Sequence, residues 1–251
     1  MHTEIEGPAG PAQDAPPLVL LHGGIGTARS HWSKLIPSLA ERFQVHLPDL
    51  PGHGRTPLEE GADYGMETLV GPVQDLLERL AGARAGGVHV AGFSMGGHTA
   101  LTVAARHPDL FASLTLIGVS VRDHEGLDAW RRQFTPDAFE AANPLWSRYL
   151  AKVHAPLGGP DAWRDVLARD SAKVSAGADL EALRALACPV LLVRGDRDWA
   201  VQPEQFAELR ALWGERCEEL VVPHGGHDVQ ITRWRIVEPA LLDFLDRAAP
   251  S

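Results

Sequence analysis

The sequence predicts an α/β fold, a mostly parallel sheet with helices on both faces. Short, continuously apolar runs such as Leu18-Val19-Leu20-Leu21 and Val190-Leu191-Leu192-Val193 recur along the chain, and glycine follows several of them. Such runs are the pattern of strands buried on both sides. Stretches with apolar residues at helical spacing alternate with them, and that alternation is the signature of a parallel sheet. The rhythm lapses once, between Gly118 and Pro189, where helical segments occur without a good strand.

Thr3 to Glu6 is extended enough for one short leading strand, and the Gly-, Pro- and Ala-rich remainder up to Pro17 is expected to be poorly ordered. Leu18–Leu21 is the first strong strand and runs into His22-Gly23-Gly24. Trp32, Leu35, Ile36 and Leu39 are spaced for one helix over Ser30–Glu41. Strands follow at Gln44–Leu47, Val88–Ala91, Leu114–Gly118, Pro189–Val193 and Glu219–Val222. Helices are expected at Leu69–Leu80, Met95–Arg106, Gln202–Leu212 and Val237–Arg247, the second stopped by His107-Pro108. In the interrupting segment, Thr135-Pro136-Asp137 reads as a helix start with threonine as cap and proline at the first position. Pro160–Trp163 reads as another. The expected division is a core domain of residues 1–120 and 188–251 with a helical lid, or cap, of residues 121–187 inserted between two core strands.

Acidic residues outnumber basic ones, 33 to 23, for a formal net charge of -10. Nucleic acid and anionic membranes both require a basic footprint, so neither is an expected partner. The two cysteines, Cys188 and Cys217, lie in no Cys-x-x-Cys pair and fit a reducing compartment. The first residues carry no signal-like apolar run, and none elsewhere approaches a membrane span, so a cytoplasmic location is expected. No histidine grouping has metal-ligand spacing, and no cofactor is expected.

Open parallel sheets bind ligands at the carboxyl ends of their strands. Here those ends deliver His22-Gly23-Gly24, then Asp49 with Gly52-His53-Gly54, then Ser94, then Ser120 and Asp123, then Asp196 and Asp198, and last His224 and His227. A serine, a carboxylate and a histidine on separate strand ends are the parts of an acyl-transfer site. The run Gly92-Phe93-Ser94-Met95-Gly96 says little alone. It follows a buried strand, however, and opens a helix with small residues at Gly96, Gly97 and Ala100, as a sharp strand-to-helix elbow requires.

On these motifs, together with Gly195-Asp196-Arg197-Asp198 and Gly225-Gly226-His227, the chain resembles the α/β-hydrolase fold superfamily over nearly its whole length. The order Ser, Asp, His is that of the superfamily. The resemblance implies Ser94 as nucleophile, Asp198 as acid and His227 as base, with the backbone N–H groups of Gly24 and Met95 as the oxyanion hole. Asp196 and Asp123 are rival acids, since some relatives take theirs from the strand after the elbow. His224 is a rival base. His22 is expected to orient the oxyanion loop, and His53 to be structural.

The implied activity is a serine hydrolase, carboxylesterase-like, that cleaves a carboxylic ester, lactone or thioester through an acyl-enzyme. Serine at the elbow argues against the carboxylate-using dehalogenases and epoxide hydrolases of this fold. The alternatives are a same-fold lyase or C–C bond hydrolase using the triad as a base, and a low-turnover ligand-binding protein. Phe93 departs from the asparagine that C–C hydrolases place before the serine, and His98 stands near where a menaquinone-pathway lyase of this fold carries arginine. Phe93, Trp130, Trp146 and Trp199 are candidate pocket residues for a small apolar acyl or aromatic substrate. The other aromatics of the insertion are expected to pack its helices. Monomer and homodimer are equally compatible.

Overall fold

The computed structural model describes residues 1–8, 15–83, 86–122, 124–125, 134–173 and 178–248, with the backbone alone at 172–173. Seven strands form one sheet in the order β1-β3-β2-β4-β5-β6-β7. They are β1 (Thr3–Glu6), β2 (Pro17–Leu21), β3 (Gln44–Pro48), β4 (Val88–Phe93), β5 (Phe111–Ile117), β6 (Val190–Gly195) and β7 (Cys217–Val222). β1 pairs antiparallel with β3, and every other pairing is parallel.

Side chains alternate across a strand, so a continuously apolar run must be covered on both sides. Val19 and Leu21 of β2, with Val190 and Leu192 of β6, face one layer of helices. That layer holds α3 (Met66–Gly82), α4 (Met95–Arg106) and, beyond the insertion, α8 (Pro203–Trp213), through Val73, Leu77, Leu101 and Leu209. Leu18, Leu20, Leu191 and Val193 face the other layer, where Trp32, Leu35, Leu241 and Phe244 pack. This second layer comprises α1 (Ala28–Trp32), α2 (Ile36–Leu39) and the closing helix α10 (Trp234–Ala248), which follows the short α9 (Val229–Thr232).

The edges are charged, which blocks strand addition by another chain. Arg29 pairs with Glu4 and Glu6 of β1, and Arg247 bonds Glu218 of β7 at 2.6 and 2.8 Å.

The single helix expected over Ser30–Glu41 is instead two short ones. Pro37 has no N–H to give to the preceding turn, and its ring would strike the carbonyl four residues back in a continuous helix. It sits instead in the first turn of α2. The apolar spacing was still informative, since Trp32, Leu35, Ile36 and Leu39 are all buried.

Between β5 and β6 lie α5 (Pro136–Ala142), α6 (Pro144–His154) and α7 (Ala162–Lys173). Thr135 caps α5, its hydroxyl accepting from Ala138 N. Phe139, Leu150, Trp163 and Leu167 form a separate small core for these helices, with Phe134, Trp146 and Tyr149 partly buried against it.

Candidate active site

The nucleophile candidate is held by an elbow that only glycine-flanked sequence can make. Ser94 has φ +48°, in the left-handed region that a side chain rarely occupies. Such a residue costs about 1–3 kcal/mol and persists only where its neighbours over-determine it. Ser94 N donates to Ile117 O at 2.9 Å, tying the turn to the end of β5, and His98 N donates to Ser94 O at 2.9 Å. A Cβ on Gly92 would lie 2.6 Å from Gly97 Cα, and one on Gly96 would lie 2.5 Å from His22 O. The sharpness of the turn places Ser94 at the carboxyl edge of the sheet and at the positive end of α4.

The carboxyl ends of β6 and β7 bring the other two expected residues to it. His227 Nε2 lies 3.0 Å from Ser94 Oγ, and His227 Nδ1 lies 3.0 and 3.1 Å from the two Asp198 oxygens. Because a carboxylate faces Nδ1, that nitrogen carries the proton and Nε2 is left to accept from the serine hydroxyl. The Asp198 side chain is fully buried and also accepts from Ala200 N at 2.9 Å, whereas His227 keeps 18% of its side chain exposed. Gly118, at φ +63°, leaves room for the imidazole, since a Cβ there would lie 2.9 Å from His227 Cε1.

The rivals take other positions. Asp196 is exposed and accepts from Gly225 N at 3.2 Å, closing the turn between β6 and the β7 loop. His224 is exposed and bonds Arg197 at 2.7 Å. Asp123 and Trp130 lie outside the described residues. His22 accepts from Leu50 N at Nε2 (2.9 Å), so its Nδ1–H donates to Gly23 O at 2.8 Å; burial pushes its imidazole well below the usual range. It therefore links the glycine loop to Leu50 as a neutral ring.

A cavity of about 770 Å³ opens over Ser94 and His227. Gly24 and Met95 line it. Of the expected pocket residues, Phe93, Trp146 and Trp199 line it as well, joined by Phe134 and Phe139 of the insertion. The Phe93 and Trp199 rings lie 5.0 and 5.4 Å from the His227 ring, flanking it. Trp146 stacks on Tyr149 at 5.0 Å. The space is thus mostly apolar and aromatic, with the serine and imidazole at its base.

Two lining residues had no distinctive mark in the sequence. His31 lies 5.1 Å from the Phe93 ring, and burial pushes it to about 3, so it is a neutral ring at ordinary pH. Asp170 of α7 is a buried carboxylate in a helix whose other charged residues include the exposed Asp165 and the half-buried Arg164 and Arg169. It accepts from Ile25 N at 2.5 Å, Tyr64 OH at 2.6 Å and His53 Nε2 at 2.9 Å. His53, expected to be structural, is buried and holds this carboxylate. Its Nδ1 faces Pro51 O at 3.1 Å, so both ring nitrogens point at oxygens and the ring is a cation. Burial alone would lower His53; the Asp170 charge and its hydrogen bond outweigh that and raise it.

A serine hydroxyl bonded to an imidazole that is backed by a buried carboxylate can transfer its proton as it attacks an electrophilic carbon. The comparisons with known proteins agree with this construction at the level of fold and family. A family model described as the α/β-hydrolase fold matches residues 16–158. A pimeloyl-acyl-carrier-protein methyl ester esterase of Aeromonas hydrophila subsp. hydrophila is 37% identical over 105 residues, which is 42% of this chain and 38% of that protein. The matched stretch therefore spans well under half of that relative. A 2-hydroxymuconate semialdehyde hydrolase of a Pseudomonas species is 31% identical over 260 residues, covering 92% of this chain and 87% of its own. Among solved structures, a meta-cleavage product hydrolase from Pseudomonas fluorescens superposes with a TM-score of 0.77 at 19% identity, over 98% of this chain and 94% of that one. With the family model spanning more than half of its length, the chain belongs to the α/β-hydrolase fold family.

Proposed function

We propose that the chain is a serine hydrolase that cleaves carboxylic esters, lactones or thioesters with an apolar or aromatic acyl group. The observation that carries this reading is the unbroken chain Ser94 Oγ, His227 Nε2, His227 Nδ1, Asp198 carboxylate, at 3.0 and 3.0 Å. His227 takes the Ser94 proton as Oγ attacks the acyl carbon. The carbonyl oxygen becomes an oxyanion, stabilised by the N–H groups of Gly24 and Met95 and by the start of α4. His227 then returns the proton to the leaving alcohol or thiol as its bond to carbon breaks. Water, deprotonated by His227, cleaves the acyl-enzyme to the free acid and restores the serine. Asp198 keeps Nδ1 protonated and stabilises the imidazolium. Helices α5, α6 and α7 serve as a lid, and their aromatics give the acyl chain an apolar wall.

A second reading, C–C bond hydrolysis, has one observation in its favour: the 31% identity over 92% of the chain to the 2-hydroxymuconate semialdehyde hydrolase. Phe93 speaks against it. The position before the serine carries a ring packed on His227 rather than a polar amide. Turnover of p-nitrophenyl esters from acetate to decanoate, set beside a 2-hydroxy-6-oxo-dienoate, separates the two. Ester turnover that falls to background in Ser94→Ala supports the ester reading. Cleavage of the dienoate with every ester untouched overturns it.

A further inference from the structure

Ile25 immediately follows Gly24, the proposed oxyanion donor, and both of its polar backbone atoms are held by side chains from the insertion. Its N–H donates to Asp170 Oδ2 of α7 at 2.5 Å, and its carbonyl accepts from His154 Nε2 at the end of α6 at 2.9 Å. His154 Nδ1 accepts in turn from Gly54 N at 2.9 Å, which fixes the tautomer that can donate to Ile25. Ile25 has φ +56°, a left-handed conformation that a β-branched residue adopts only under constraint. Asp170 also lies beside the preceding residue: a Cβ on Gly24 would lie 3.1 Å from its Oδ2. The carboxylate itself is anchored to the core by Tyr64 and by the doubly donating His53. Arg169, its neighbour in α7, donates to Gly52 O at 3.2 Å and docks the same helix on the loop after β3.

We propose that Asp170, seconded by His154, is a positioning residue that clamps Ile25 in its strained conformation and so aims the Gly24 N–H at the substrate oxygen. This rests on the hydrolase reading above. In it the insertion does more than cover the pocket, because the oxyanion site is complete only when α6 and α7 are docked. The Ile25 N–H, being bound to Asp170, is not itself an oxyanion donor, which leaves that role in the loop to Gly24. Loss of a positioned donor leaves substrate affinity largely intact and slows the chemical step.

The test is Asp170→Asn in the full chain, followed by p-nitrophenyl ester kinetics and by the Ile25 amide signal in 15N–1H NMR. An amide cannot accept from all three donors, so kcat should fall about 10- to 100-fold with KM within about threefold. The Ile25 amide, shifted downfield in the wild type by a short bond to a carboxylate, should lose that shift and exchange at least about tenfold faster. Phe244→Leu, a cavity in the remote α10 core, serves as the control for stability alone and should keep the wild-type kcat. A kcat for Asp170→Asn within threefold of wild type, or an unchanged Ile25 amide, overturns the clamp. Should that variant not fold, His154→Ala carries the test. It removes only the carbonyl side of the clamp, and a kcat loss of about fivefold supports it while none overturns it. If the wild type turns over no ester yet Ile25 gives the stated signature, the ester reading falls and the clamp on the loop stands.

Discussion

The choice between neighbouring acidic residues shows how much a single side chain's surroundings decide. Asp196 and Asp198 are two residues apart, yet Asp196 is exposed and closes a turn through Gly225, while the Asp198 side chain is fully buried and meets His227 with both oxygens. Asp198→Asn should therefore lower kcat by about 10³- to 10⁴-fold, because an amide no longer enforces the Nδ1–H tautomer. Asp196→Asn keeps an acceptor for the turn and should stay within about threefold of wild type. Steady-state kinetics on one activated ester check both, and the reverse order would move the acid to Asp196. The three triad candidates could be found in the sequence because each sits just after a strand whose apolar run marks where the sheet ends. Asp170 could not. It lies in a helix beside Arg164, Asp165 and Arg169, where a carboxylate reads as one more solvated charge. Only the fold shows that this one turns inward to Ile25, Tyr64 and His53.

Among the elements, the elbow between β4 and α4 is the most tightly constrained. Its glycines are there because backbone passes too close for a side chain, and the cost of adding one can be stated. Gly96→Ala would put a methyl 2.5 Å from His22 O and 2.6 Å from Leu21 C, on the neighbouring β2. Overpacking against backbone costs about 1–3 kcal/mol, which for a chain of this size lowers Tm by roughly 2–6 °C. Gly82, the last residue of α3, has no atom of another element within 4 Å of its hypothetical Cβ, and Gly82→Ala should raise stability by about 0.5 kcal/mol. Thermal melts of the two variants give opposite signs; a neutral Gly96→Ala would mean that the elbow is looser than these distances require. Elements with a simple period were legible, and α4 begins and ends at the expected Met95 and Arg106. The break at Pro37 was legible in principle from the proline alone, but the helical spacing through it was stronger and misled. Which insertion side chains reach the cavity was not legible, because Phe139 both packs the insertion core and lines the pocket, and spacing does not separate those roles.

For the molecule as a whole, the unusual load is buried histidine. Burial pushes His31 to about 3 and both His89 and His154 to about 4, and lowers His22 as well. In the unfolded chain these rings take up a proton near pH 6.5, whereas in the fold they stay neutral. Between about pH 4 and 6.5 the unfolded state thus binds more protons, and stability falls as pH falls, by up to about 1.4 kcal/mol per pH unit for each ring. His53 has the opposite sign. Its raised value contributes stability that is present below about pH 6.5 and lost as pH rises through its folded value. Asp170, held low against its own burial by His53, Tyr64 and Ile25, contributes above about pH 3.8 and loses that contribution as pH falls through its folded value. The neutral rings outnumber His53, so Tm should drop by roughly 10 °C or more from pH 7 to pH 5. A flat melting profile over that range would mean that these histidines are protonated within the fold.

All three scales converge on one hydroxyl. The sheet ends beneath it, the elbow turns it outward, and His227 and Asp198 complete the hydrogen-bonded chain behind it. The most direct measurement is intact-protein and peptide mass spectrometry after treatment with a fluorophosphonate, which reacts with serines activated in this way. The wild type should gain one phosphonyl group, located on Ser94, and Ser94→Ala should gain none. An unmodified wild type, or a Ser94→Ala protein that is still labelled, would contradict the account.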